Sequence, residues 1–176
     1  MDKTTRRLRY IAKYSLFFII VFMLYILGQA PGFLSFFGIK PVFTIPFCVA
    51  LAMLLDEWQV YIIFIEAGLL TDLGSMRVAG YFTLMLMAGC ALVMIATKFF
   101  FKASWENCFF TCLAVMTVML GLDFFFGYVM SGYSGLFGLF VRKVVLTSVY
   151  SSAFAIPFYH LIDNINLIRK LRVSER

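Results

Sequence analysis

The chain has 176 residues, of which 63% are hydrophobic and 14% are charged. Soluble domains average about 45–50% apolar and about 25% charged residues, so this composition excludes an ordinary soluble protein and indicates an integral membrane protein. The formal net charge of +6 does not indicate nucleic-acid binding, because the basic residues stand in short clusters at the ends of apolar runs. Those clusters are better explained by membrane topology and by contact with anionic lipids.

The cysteines and the single histidine do not suggest a metal centre. Cys48, Cys90, Cys108 and Cys112 all fall within apolar runs, and His160 lies near the far end of the chain. The pattern therefore favours reduced core cysteines and predicts no metal and no other cofactor.

Three parts are predicted along the chain: a basic cytoplasmic segment (1–13), a transmembrane domain of six helices (14–162) and a basic cytoplasmic tail (163–176). The first apolar run, Tyr14–Leu27, follows a basic stretch as in a signal peptide. We expect it to be retained as a first helix, because the rest of the chain is itself membrane-embedded.

The second and third apolar runs predict an antiparallel helical hairpin. The run Pro41–Leu55 is shorter than the hydrocarbon core, so neighbouring helices or a thinned bilayer should cover it, and Pro46 predicts an irregular start. The connection Asp56–Trp58 is very short, and the third run extends from Trp58 to Leu73.

Three further runs complete the predicted set of six. The fourth is Gly80–Phe101 and the fifth is about Asn107–Phe126. The glycine-rich stretch Gly127–Gly138 predicts an interfacial or re-entrant loop. In the sixth run, Val144–Ile162, Pro157 is expected to loosen the final turns.

The distribution of basic residues predicts the orientation. With six spans, eleven Lys and Arg residues lie on the side of the two termini and four on the other side. Those four are Lys40, Arg77, Arg142 and Lys143. The positive-inside rule then places both termini in the cytoplasm.

The third run carries two carboxylates inside an otherwise apolar segment. Glu66 is expected about 12 Å deep, and Asp72 about 9 Å further, near the opposite interface. At that depth Glu66 could act in a proton relay or ligand contact, or form a hydrogen bond to a hydroxyl of another helix. The candidate hydroxyls are those of Thr111, Thr117, Ser148, Ser151 and Ser152. Gly68 shares a helical face with Asp72 and would let another backbone come close.

Two interpretations of Asp72 remain open at this point. Asp72 and Asp123 could pair with basic residues at the same membrane edge, such as Arg142, or with those of a partner, because a lone ion is costly in a membrane helix. Alternatively, Asp72 could order the turn that ends at Gly80 through backbone amides. No arrangement of residues suggests catalysis. The predicted partner or structural polar contacts are Glu66, Gly68, Asp72, Gly80, Asp123 and Arg142.

Several of these features resemble the family of the bacterial rod shape-determining protein MreD. They are the length, the six short spans, Pro41 at the start of the second helix, the Gly-Leu-x-x-Asp pattern at Gly68–Asp72 with Gly80 after it, and a last helix that includes Thr147–Tyr150 and Pro157–Tyr159.

The resemblance implies a non-catalytic, multi-pass subunit of the cell-elongation complex in the bacterial plasma membrane. Its fold would be the six-helix fold of the S components of vitamin transporters. Its partner would be an MreC-like protein with one membrane span, and through it MreB filaments and peptidoglycan synthases, namely a RodA-type glycosyltransferase and a penicillin-binding transpeptidase. The basic termini would contact anionic lipids.

Two other functions were weighed against this one. The first is the substrate-binding S subunit of an energy-coupling-factor vitamin transporter, which is similar in size and hydropathy. Its first helix typically carries small residues spaced by four, and Tyr14–Leu27 has no such pair. The second is an intramembrane enzyme that uses Glu66, for which the sequence offers no catalytic partner.

Overall fold

The structure is a computed structural model that describes residues 3–30, 39–55, 58–75, 80–100, 102–130 and 136–174, with side-chain packing described between residues 13 and 165. These residues form helices and no strands. The α-helices are α1 (Lys3–Gln29), α2 (Thr44–Leu54), α3 (Val60–Gly74), α4 (Tyr81–Phe99), α5 (Trp105–Phe124), α6 (Leu136–Phe140), α7 (Thr147–Ser152) and α8 (Ala155–Ser174). Two π-helical segments, Phe125–Val129 and Val141–Leu146, continue α5 and join α6 to α7.

Helix α2 forms the centre of the bundle. Its residues from Thr44 to Met53 are all buried, and it packs against α1, α3, α4, α5 and α8. A helix that is apolar on every side is stable only when it is surrounded. The helix has 11 residues and rises about 16 Å, about half of a hydrocarbon core. The expectation that neighbouring helices cover this short run is therefore confirmed.

Both prolines that were expected to disturb helices occupy the third position of one. Pro46 is the third residue of α2, where an amide has no acceptor within the helix, so Pro46 does not disturb it. The start of the predicted run is nevertheless irregular, because residues 41–43 are not helical and α2 begins only at Thr44. Pro157 is third in α8. The helix is interrupted at Ala153 and Phe154, before Pro157, and not loosened in the turns that follow it.

The described residues of the predicted loop Gly127–Gly138 are helical except for Met130, which corrects the sequence interpretation for that part of the loop. Its first three residues extend the fifth helix to Val129, and the next helix begins at Leu136. Arg142 therefore lies within a helical segment and not before it. The remainder of the predicted loop, residues 131–135, lies outside the described residues.

Among the described residues, three helical stretches are long and apolar enough to cross a membrane: Tyr81–Phe99, Trp105–Val129 and Leu136–Ile165. The apolar part of α1 and all of α2 are shorter. Large apolar side chains cover the outside of the bundle, as on Leu84 and Phe137, which are 72% and 82% exposed. Such a surface is suited to lipid and not to water.

Candidate functional site at the start of helix α4

The start of α4 needs hydrogen-bond acceptors that its own sequence does not supply. The first amides of any helix lack acceptors within the helix. The residue before α4 is Gly80, which has no side chain to accept them and adopts a left-handed φ of 93°. Glycine tolerates this φ because it has no Cβ, so Gly80 allows the chain to turn into α4 but cannot cap it.

Asp72, near the end of α3, supplies the missing acceptors. Its Oδ1 accepts a hydrogen bond from the amide of Phe82 at 2.8 Å. Its Oδ2 accepts hydrogen bonds from the amides of Gly80 (3.0 Å) and Thr83 (3.2 Å) and from the Thr83 hydroxyl (2.6 Å). The carboxylate is buried, and its negative charge lies at the positive end of the α4 dipole.

Gly68 brings the two helices close enough for these bonds. It lies one turn before Asp72 on the same face of α3, and a Cβ added at Gly68 would lie 2.4 Å from the Cα of Thr83. No side chain fits at that distance. The expectation that Gly68 admits another helix backbone is confirmed, and that backbone is the first turn of α4.

These contacts bear on the two interpretations of Asp72. Both of its oxygens are occupied by donors from the start of α4, as the turn-ordering interpretation predicted. No basic residue pairs with Asp72 in the part of the chain that the structure describes, and pairing with Arg77, which lies outside that part, or with a basic residue of a partner stays a prediction. Four donors already satisfy this carboxylate, so it needs no cation as well.

Asp123 and Arg142 are not among the groups that donate hydrogen bonds to Asp72. Asp123 is half-buried near the end of α5, and Arg142 is exposed in the π-helical segment that packs against α5. The pairing expected for Asp123 stays a prediction. The neighbouring Lys143 lies 4.4 Å from the centroid of the Tyr128 ring and donates a hydrogen bond to its hydroxyl.

Glu66 does not bond to the hydroxyls proposed for it. Both carboxyl oxygens are buried and have no hydrogen-bond partner among the described residues. The Ser151 hydroxyl accepts a bond from the amide of Val42 at 2.9 Å, and the hydroxyls of Thr117 and Ser152 donate to carbonyls of their own helices. The hydroxyl-partner interpretation of Glu66 is therefore wrong.

The sequence analysis missed Thr83, which contributes two of the four donors. The signal was available: Thr83 is the third residue of α4, a position that commonly takes part in capping. All four cysteines are buried and unpaired, as expected. Within the described ranges, no group of three or more His, Cys, Asp or Glu residues could hold a metal ion.

The fold and this buried helix cap define an all-α membrane protein, in its described residues, with three helical stretches long and apolar enough to cross a membrane. One of them, α4, begins at a cap that Asp72 of α3 supplies. Comparison of the chain with protein-family models, with curated proteins and with solved structures found no match.

Proposed function

We propose that this chain is a non-catalytic subunit of the bacterial cell-elongation complex in the plasma membrane. In this proposal it crosses the membrane six times, has both termini in the cytoplasm and binds the single span of an MreC-like protein. Through that partner it acts on MreB filaments and on the synthases that build peptidoglycan.

The observation that carries the proposal is the structural unity of the Gly68–Asp72 pattern with Gly80. The resemblance rests on these residues, which are separated along the chain. In the fold they meet at Thr83, where Gly68 allows the approach, Asp72 supplies the acceptors and Gly80 makes the turn. A pattern whose members act together is a stronger basis for a family resemblance than three unrelated matches.

The outer face of α4 and α5 offers a place for the partner's span. A groove of about 320 Å³ between them is lined almost entirely by apolar groups, among them Ala88, Gly89 and Leu92 of α4 and Ala114 and Val118 of α5. Small residues let a helix backbone approach closely in a membrane. Both helices are long enough to cross the bilayer, so a single-span partner could lie along them.

The first experiment is affinity purification of the tagged chain from its own host in mild detergent, followed by mass spectrometry. Recovery of an MreC-like protein with cell-wall synthases is the expected result. Recovery of transporter ATPases with a coupling subunit, or of a bound vitamin, would replace the proposal with the S-subunit function.

A second experiment tests the groove. Ala88→Leu and Ala114→Leu add bulk at exposed positions of the groove and are expected to reduce recovery of the partner. The matched control is Ala153→Leu, which adds the same bulk at an exposed position outside it. Equal recovery with all three variants would exclude the groove as the docking place while leaving the first experiment unaffected.

A further inference from the structure

A second cavity lies where the end of α1, the start of α2 and the end of α3 meet. Its volume is about 180 Å³, and it is partly open to the outside. One water molecule needs about 10–15 Å³ by the same measure, whereas pockets for drug-sized ligands measure about 300–1,000 Å³. The cavity therefore suits a ligand of about one ring.

Three polar groups in the cavity wall have no hydrogen-bond partner within the described ranges. Thr44 is only 4% exposed, yet its hydroxyl makes no hydrogen bond there. The Tyr25 hydroxyl and the Gln29 carboxamide converge on Gly74, where an added Cβ would lie 2.9 Å and 2.6 Å from them, and they also lack a partner. The Thr44 hydroxyl borders the cavity and has no hydrogen-bond partner among the described residues, so it is available to a ligand there.

The types of group in the wall define the ligand's chemistry. Hydroxyls and a carboxamide both donate and accept hydrogen bonds, as the hydroxyls of a sugar do. Aromatic rings of Tyr25, Phe43 and Phe82 provide apolar surface for the face of a ring. Among the described lining residues there is no charged side chain to neutralise an ion.

We propose that this cavity binds one uncharged sugar ring, either free or as the head group of a membrane glycolipid. Gln29 is the last residue of α1, whose apolar stretch runs from residue 13 to residue 29. In the proposed six-span topology the cavity therefore lies at the membrane edge, at the level of lipid head groups. The binding does not use the α4–α5 groove, and the cavity adjoins the Asp72 cap through Phe82. The binding goes beyond the proposed function and rests on it only for the depth of the cavity in the membrane.

The test uses the full chain in phosphatidylcholine nanodiscs, because common membrane-protein detergents carry sugars that would compete. Saturation-transfer NMR measures binding of methyl β-glucoside and N-acetylglucosamine, with glucuronate as a charged comparison. Native mass spectrometry measures retention of monoglucosyl diacylglycerol added to the disc, which distinguishes the lipid source from the free sugar.

The matched variants are Thr44→Val and Thr117→Val. Thr117 carries its hydroxyl outside the cavity and donates it to the carbonyl of Leu113. We expect saturable binding of at least one uncharged probe, at least about a tenfold loss of affinity in Thr44→Val, and no change in Thr117→Val. A thermal melt of each variant in the same discs checks that it is folded.

Three outcomes would overturn the proposal. They are absence of saturable binding by both sugars and the glycolipid, unchanged affinity in a folded Thr44→Val variant, and glucuronate binding as tightly as the uncharged sugars. If Thr44→Val does not fold, Tyr25→Phe replaces it, because it removes a second free hydroxyl that is only half-buried. The same loss of affinity is then required.

Discussion

The space for a side chain at position 68 is set by the backbone of Thr83. Gly68→Ala would place a methyl group 2.4 Å from the Thr83 Cα, so α3 and α4 must separate. We expect a loss of about 1–3 kcal/mol of unfolding free energy, measured by denaturation in mixed micelles. The control is Gly121→Ala, where an added Cβ meets nothing within 4 Å and alanine's helix propensity should be neutral or favourable. Equal effects at the two positions would contradict this account of Gly68.

The Asp72 carboxylate is expected to stabilise the protein mainly through its hydrogen bonds to Thr83 and to the amides of Gly80 and Phe82. Asp72→Ala removes a charged acceptor from one buried and three partly buried donors, and we expect a loss of about 2–3 kcal/mol, with faster hydrogen exchange at the amides of Phe82 and Thr83. Thr83→Val alone should cost less, because the amides keep their acceptor. A double-mutant cycle should give a coupling energy of about 0.5–3 kcal/mol, and additivity would show that the hydroxyl contact contributes nothing.

Glu66 is expected to lower the stability of the isolated chain. Its two carboxyl oxygens are buried without a hydrogen-bond partner among the described residues. Leucine has no polar group to leave unsatisfied, so Glu66→Leu should raise the unfolding free energy by about 1–3 kcal/mol. Glu66→Gln, which keeps buried polar atoms, should not. A destabilised Glu66→Leu variant would mean that the carboxyl is satisfied in the folded protein.

At the scale of helices, the two prolines offer a matched comparison. Pro157→Ala creates an amide that can bond to the carbonyl of Ala153, so α7 and α8 should join into one helix and that new amide should resist hydrogen exchange. Joining them would shift Phe154, whose ring centroid lies 4.8 Å from that of Phe43. Pro46→Ala should change hydrogen exchange little. Position 46 lies in the first turn of α2, so the amide that alanine introduces has no carbonyl acceptor within the helix. Similar exchange protection in the two variants would contradict this distinction.

The helices were predictable because apolar runs interrupted by glycine and proline mark them in the sequence. The third run, expected at Trp58–Leu73, is α3 at Val60–Gly74, close to the prediction. The stretch after Phe126 was misjudged because glycines that break helices in water are tolerated when the backbone bonds within its own segment, here in a π-helix.

The candidate site was only half predictable. The spacing of Gly68 and Asp72 places them on one helical face, which is a property of α3 alone. The acceptor role of Asp72 depends on where Thr83 lies, eleven residues further along the chain and on another helix. The cost of a lone ion in a membrane helix suggested a cation as the partner, whereas the observed donors are mostly backbone amides, which any residue except proline carries. Glu66 shows the same limit, because the hydroxyls of Thr117, Ser151 and Ser152 bond to their own surroundings and that of Ser148 has no partner among the described residues.

At the scale of the whole molecule, the buried α2 explains how a chain with short apolar runs can form a membrane bundle. The helices packed around it cover its entire surface and expose their own apolar side chains outward. Every backbone group of a short helix must be satisfied within the hydrocarbon layer, and surrounding helices exclude water and lipid from it. The number of crossings can therefore exceed the number of helices that are long enough to span alone.

The proposed six-span topology makes a prediction for the intact cell. The four native cysteines are fully buried, so the unmodified chain should react little with a membrane-impermeant maleimide and serves as its own blank. Lys143→Cys, at an exposed position, should be labelled in intact cells. Lys98→Cys, also exposed, and Ser174→Cys in the C-terminal tail should be labelled only after permeabilisation.

Labelling of Ser174→Cys in intact cells would require either an odd number of spans or an inverted chain. Labelling of Lys98→Cys distinguishes the odd number of spans from the inverted chain. If Lys98→Cys is also labelled in intact cells and Lys143→Cys is not, the chain is inverted, and the positive-inside reasoning fails for this protein.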